Sequence, residues 1–131
     1  MTTISEASDY IDDKLISMYK NHGFGLWLVV TIDNDIPIGI CGLIKRDSLD
    51  DIDLGFAFLE KYWGMGFAYE ASKVCLEYAS LKLNAEQIAA ITSPSNARSI
   101  NLLEKVGFRY ASEFSHTGSS EILSLYLLSL Q

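Results

Sequence analysis

Hydrophobic and polar positions along this chain follow two periods, and the switches between them mark out its elements. Residues 5–20 carry Ala7, Ile11, Leu15, Met18 and Tyr19 at the spacing of one helical face, and Asn21, His22 and Gly23 follow as a stop, so the pattern predicts a helix there. Residues 26–32 form an apolar, β-branched run, Asp33, Asn34 and Asp35 make a turn, and residues 36–45 resume an extended pattern with Pro37 near its start. These two runs predict a hairpin. After a polar turn around residues 48–51, Ile52, Leu54, Phe56 and Phe58 alternate with Asp53, Gly55 and Ala57, which gives a third strand with one greasy face and one small face, an open surface on which a flat ligand arm could lie with the Asp53 carboxylate beside the groove.

From residue 66 to 81 the helical period returns. Phe67, Ala68, Ala71, Val74, Cys75 and Tyr78 are expected inward, with Glu70, Ser72, Lys73 and Glu77 outward. Residues 87–92 predict a short buried strand, Ser93, Pro94 and Ser95 a loop, and Asn96 the N-cap of a helix ending at Gly107. Residues 108–115 and 122–128 then flank His116, Thr117, Gly118 and Ser119 as a terminal hairpin. No repeat, low-complexity tract or linker interrupts this order, and 131 residues with 49% hydrophobic content predict a single domain.

Composition narrows the function classes. The longest apolar runs are too short to span a bilayer, and residues 1–13 lack the basic and apolar regions of a secretory signal, so a soluble, cytoplasmic protein with no membrane partner is expected. Ten basic against seventeen acidic residues give a net charge of −7, which argues against a nucleic-acid partner, because phosphate contacts need concentrated Lys and Arg. Cys41 and Cys75 sit in apolar periodic segments without metal-ligand spacing and read as buried reduced thiols, so no metal site is implied.

The chemistry is concentrated in two blocks. Residues 59–71 read Leu-Glu-Lys-Tyr-Trp-Gly-Met-Gly-Phe-Ala-Tyr-Glu-Ala, a strand end passing into a helix across Gly64 and Gly66. The first N–H groups of a helix lack intrahelical partners, the helix dipole favours negative charge there, and the glycines let a phosphate approach the main chain. Lys61 and Arg98 are the nearest cationic side chains by sequence. The second block, residues 96–108, reads Asn-Ala-Arg-Ser-Ile-Asn-Leu-Leu-Glu-Lys-Val-Gly-Phe. A Rossmann domain does not fit, since Gly64-Met65-Gly66 lacks the third glycine and the neighbouring strands read as antiparallel hairpins.

Together the two blocks resemble the GNAT superfamily of N-acetyltransferases, and within it the branch related to ribosomal-protein alanine acetyltransferases. The family pattern is Gln/Arg-x-x-Gly-x-Gly/Ala at the pyrophosphate loop, with Asn-x-x-Ser/Ala ending in Gly-Phe later. Lys61 stands where the family usually has Gln or Arg, and Leu103 where many members have a tyrosine. The resemblance implies an α/β (α+β) fold with a mixed, mostly antiparallel central sheet flanked by helices, apparently lacking the family's first strand. An unpaired sheet edge invites pairing, so a homodimer is expected. The implied co-substrate is acetyl-coenzyme A. Ala57, Phe58 and Leu59 would line its pantetheine arm, and Trp63, Gly64, Met65, Gly66, Phe67 and Ala68 would hold its pyrophosphate. Lys61 would assist there, and Asn96 would orient cofactor amides or only cap its helix.

The implied activity is transfer of an acetyl group to a primary amine, a protein N-terminus or a small molecule, by direct attack in a ternary complex. The alternative is a non-catalytic acyl-coenzyme A-binding sensor or interaction domain. An amine must lose a proton before attack, and Asp53 stands where relatives often carry a glutamate, which makes it the candidate base through a water, with Glu60, Asp51 and Glu113 behind it. A backbone N–H near Leu59 is the expected oxyanion donor. Leu103 cannot protonate the leaving thiolate; Ser99, which matches the serine of the ribosomal-protein branch, is the donor the resemblance implies, directly or through water, the alternative being a cap partner of its helix. His22 and Phe24, before the first strand, are candidate acceptor-pocket residues.

Overall fold

The first hairpin forms where its pattern places it. In the computed structural model, which describes residues 25–31, 34–46 and 48–130, strand β1 (Leu26–Val30) pairs antiparallel with β2 (Pro37–Ile44). Pro37 occupies the first position of its strand, where its missing N–H costs least. Strand β3 (Asp53–Phe58) pairs antiparallel with the other edge of β2, from Gly39↔Phe58 to Ile44↔Asp53. The helix expected over residues 5–20, and with it His22 and Phe24, lies outside the described residues.

Strand β4 (Gln87–Thr92) runs parallel to β3, and helix α1 (Phe67–Leu81) makes the crossover that a parallel pair requires. Helix α2 (Ala97–Val106) leads to β5 (Arg109–Phe114), which pairs antiparallel with β6 (Leu123–Ser129), and β6 lies beside β4. The sheet order is β1-β2-β3-β4-β6-β5, a mixed, mostly antiparallel sheet as expected. Every described strand and α-helix falls within two residues of its expected bounds, while the 3-10 turn Glu60–Tyr62 is not among the expected elements.

The core fills the space between one sheet face and the two helices. Cys41, Leu43, Leu54, Ile88, Ala90 and Tyr126 from the strands meet Cys75, Leu76 and Ala79 of α1, Leu103 of α2, and Phe108. Each fully buried Leu, Ile or Phe contributes roughly 1.5–3 kcal/mol. The buried face of α1 differs from expectation. Ser72 is fully buried and Val74 is 62% exposed, because the helix turns its small residues, Ser72, Cys75 and Ala79, toward the sheet for close approach. The Ser72 hydroxyl meets the Cys41 thiol, 3.9 Å away. Both cysteines are buried free thiols, as expected.

A smaller cluster on the opposite face joins Leu26, Ile40 and Ile44, with Ala57 packed against it. Gly55 belongs to this face. A Cβ there would stand 2.7 Å from Ile44 Cδ1, so glycine admits the side chain of the neighbouring strand. The small face of β3 is therefore not the open surface for a ligand arm that its composition suggested.

Candidate active site

Strands β3 and β4 pair in register at one position, Asp53↔Ala89, where the Ala89 N–H donates to the Ile52 carbonyl at 2.9 Å. Beyond that pair they part. The Leu59 N–H donates to the Ile38 carbonyl of β2 at 2.9 Å, and strand hydrogen-bonding direction alternates, so the backbone groups of Phe56 and Phe58 face the gap. The Leu59 N–H is committed to β2, so among the N–H groups near Leu59 expected as the oxyanion donor it is the neighbouring Phe58 that faces the gap. The gap-facing N–H groups are those of Phe56 and Phe58.

The glycine loop closes the open end of the gap. A single 3-10 turn, Glu60–Tyr62, follows Leu59, and the Trp63 indole N–H donates to the Phe58 carbonyl at 2.9 Å, tying the loop to the end of β3. Gly64 and Gly66 have φ of +78° and +87°, and a Cβ on either would meet nothing within 4 Å. They are required for backbone conformation, not for space, and the surface above them is open. The Glu70 N–H is bonded to the Gly66 carbonyl, which leaves the N–H groups of Phe67, Ala68 and Tyr69 as the unpaired first turn of α1. Met65 is 63% exposed beside them, and the Phe67 ring packs edge-on against Tyr62.

The second sequence block meets the first here. Arg98, in the first turn of α2, places its guanidinium 4.9 Å from the centroid of the Trp63 ring, a cation–π contact that holds positive charge beside the loop. Lys61 lies over Tyr62. Asn96 caps α2, its side-chain oxygen accepting the Ser99 N–H at 3.1 Å, while the Ser99 hydroxyl has no hydrogen-bond partner among the described residues. Gly107 ends the helix, and the Gly107 and Phe108 N–H groups bond back to Glu104 and Leu103. Leu103 itself is 1% exposed in the core.

Asp53 sits at the apex of the gap, on the face away from the helices. Its exposure is 2%. Arg46 Nε donates to Oδ2 at 2.9 Å, and Oδ1 is buried without a hydrogen-bond partner among the described residues. Burial pushes the carboxyl up from its ordinary value, against the charge and hydrogen bond of Arg46 and a weaker pull from His116. The expected open carboxylate beside a groove is thus a closed ion pair. Among the other base candidates, Asp51 accepts a hydrogen bond from the Gln87 amide, and Glu60 and Glu113 are exposed on the turn and on β5.

Three residues the sequence reading passed over gather around Asp53. Arg46 and Ser48 come from the β2–β3 connection and His116 from the β5–β6 hairpin. The Ser48 hydroxyl lies 3.0 Å from His116 Nδ1, and the Phe114 ring stands edge-on to the imidazole at 5.0 Å. A lone histidine in a turn carries no periodic signal, and only the twist of the sheet brings it to a strand more than sixty residues earlier. Among the described residues, no helix is long and apolar enough to cross a membrane, and no group of three His, Cys, Asp or Glu side chains is placed to hold a metal ion.

Known proteins share this fold. A family model described as an acetyltransferase (GNAT) domain matches residues 1–109. An uncharacterized N-acetyltransferase of Bacillus licheniformis is 30% identical over 110 residues, covering 82% of this chain and 61% of the relative. A ribosomal-protein alanine acetyltransferase from Vibrio fischeri shares the fold with a TM-score of 0.71 at 22% identity, over 87% of this chain and 66% of that one. An acetyltransferase from Salmonella typhimurium, solved with its cofactor acetyl-CoA, gives 0.71 at 17% identity, over 88% and 69%. This chain spans between 48% and 62% of the length of the curated relatives it matches. With the domain model covering most of its length, the chain belongs to the GNAT acetyltransferase family.

Proposed function

We propose that this chain is an N-acetyltransferase that moves the acetyl group of acetyl-coenzyme A to a primary amine by direct attack in a ternary complex. The observation that carries this reading is the single-pair junction of β3 and β4, which opens toward a glycine loop and the unpaired first turn of α1. The pyrophosphate goes to the N–H groups of Phe67, Ala68 and Tyr69, with Arg98 and Lys61 supplying charge. The pantetheine arm lies along the gap-facing groups of Phe56 and Phe58, and Ala57 and Leu59 keep that stretch of β3 paired to β2. From Asp53 to Phe58 the strand runs about 17 Å at about 3.3 Å per residue, a span for an extended arm that carries the thioester toward the apex.

The amine attacks the thioester carbonyl, the developing oxyanion takes an N–H of Phe56 or Phe58, and the thiolate leaves with Ser99 as the nearby hydroxyl. The acceptor is a protein N-terminus or a small amine in this reading. The sealed carboxylate of Asp53 and the buried Leu103 favour a second reading, a domain that binds acyl-coenzyme A without turnover. Thiol release from acetyl-coenzyme A across a panel of primary amines separates the two. Amine-dependent release supports transfer; binding of the coenzyme with no release from any amine supports the second reading.

Among the described residues β1 forms one edge of the sheet, with Leu28 and Val30 43% and 40% exposed. We infer that this apolar edge is covered by a second copy of the chain in solution. Light scattering coupled to size exclusion is expected to give twice the 14.6 kDa chain mass; a monomer in the presence of acetyl-coenzyme A excludes the dimer.

A further inference from the structure

We propose that His116, held by Ser48 and Phe114, is the group that takes the proton from the acceptor amine. This rests on the acetyltransferase reading above and deepens it. The argument begins with what Asp53 cannot do. One of its carboxylate oxygens is bound by Arg46 and the other is closed to solvent, so an amine in the gap has no path to either while the ion pair is intact. A proton acceptor must be accessible, carry a free lone pair and lie near the apex where the thioester ends.

His116 meets these requirements. It is half-buried rather than sealed from solvent. It stands at the Asp53 corner because its partner Ser48 lies two residues beyond Arg46, which holds that carboxylate. Two contacts fix the ring: the Ser48 hydroxyl 3.0 Å from Nδ1 and the Phe114 ring at 5.0 Å with an interplanar angle of 88°. When Nδ1–H donates to the Ser48 oxygen, Nε2 carries the free lone pair, which is the form a base needs. The charged groups facing this corner are Asp53 and Arg46, which are bound to each other.

The step balances. The bound ammonium gives one proton to Nε2, and the neutral nitrogen attacks the thioester carbon as the N–C bond forms. The C–S bond then breaks, the second nitrogen proton passes to the leaving thiolate, and the imidazolium returns its proton to solvent. The products are the amide and the free thiol. In this arrangement Asp53 and Ser48 are positioning residues, acting through His116.

The test uses the full chain, acetyl-coenzyme A and the best amine from the panel. With both substrates saturating, kcat of the wild type should fall on the acid side through a single ionisation. His116→Gln should lower kcat by about 10²-fold or more, abolish that ionisation and leave acetyl-coenzyme A affinity by calorimetry within about twofold. Ser48→Ala, which keeps the imidazole, should lower kcat by less and move the ionisation. Wild-type kcat in His116→Gln, or an unchanged acid limb, overturns the proposal while the acetyltransferase reading stands. A wild type that binds the coenzyme but acetylates no amine overturns both. If His116→Gln fails to bind the coenzyme, Ser48→Ala decides: an unmoved limb at wild-type rate overturns the assignment, and a moved limb supports it.

Discussion

Arg46→Gln removes the charge facing Asp53 and leaves behind a carboxylate that the fold has sealed. Asp53 is 2% exposed, its Oδ2 is bound by Arg46 Nε at 2.9 Å, and its Oδ1 has no hydrogen-bond partner among the described residues. Breaking a buried ion pair from one side costs about 3–5 kcal/mol, because the remaining charge is uncompensated. The Arg46 side chain is 40% exposed, so water follows its removal and offsets part of that cost. A loss of about 1.5–3 kcal/mol at pH 7 is expected, against roughly 5–15 kcal/mol for a whole domain.

The pH dependence has a definite sign. Burial holds the Asp53 carboxyl above its ordinary value, so the folded chain binds this proton more tightly than the unfolded one. The contribution to stability is complete below the unfolded carboxylate value of about 3.9 and is lost as pH rises through the higher folded value. Without Arg46 the folded value rises further, and the deficit of the variant widens from acid toward neutral pH. Urea unfolding followed by the fluorescence of Trp27 and Trp63 measures this. The midpoint should fall more at pH 7 than at pH 5 with an unchanged slope, and adding Asp53→Asn should restore most of the loss. Equal midpoints for variant and wild type at pH 7, or a loss that is the same at both pH values and survives Asp53→Asn, refutes the reasoning.

Two further outcomes concern the coenzyme site. Gly66→Glu puts a negative charge and a side chain with φ of +87° at the mouth of the gap, so acetyl-coenzyme A affinity by calorimetry should fall at least about tenfold, with a stability cost of about 1–3 kcal/mol from the backbone. Ser99→Ala removes a hydroxyl with no hydrogen-bond partner among the described residues and should slow thiol release by less than about tenfold without changing coenzyme affinity, because water can replace a single donor; a loss as large as that of His116→Gln would make Ser99 the principal proton-transfer group.

What the sequence revealed and what it hid follow from the range of the forces involved. The strand alternation at Ile52, Leu54, Phe56 and Phe58 and the Asn96 and Gly107 signals are local, and each appears in the structure where its pattern lies. The glycine pair was legible because positive φ is a backbone property. The buried face of α1 was misread at Ser72 and Val74 because the sheet wants small residues beneath it, and hydropathy does not record size. Gly55 looked like ligand space because Ile44, which fills it, comes from another strand. Asp53 was identified as a site residue, but its ion pair with Arg46, seven residues earlier, depends on how the β2–β3 connection folds back. His116 was invisible for the same reason over a longer separation.

The central claim is that the gap opened beyond Asp53 and Ala89 and the glycine loop at its mouth form one coenzyme site. Amide chemical-shift mapping by NMR during titration with acetyl-coenzyme A tests it directly. The largest changes are predicted at Phe56 and Phe58 on β3, at Gly64 to Tyr69 across the loop and first turn of α1, and at the Arg98 side chain. Changes confined to the opposite end of the same strands, around Asp50, Asp51 and Gln87, or to the outer face of α1 near Val74 and Leu81, would contradict it.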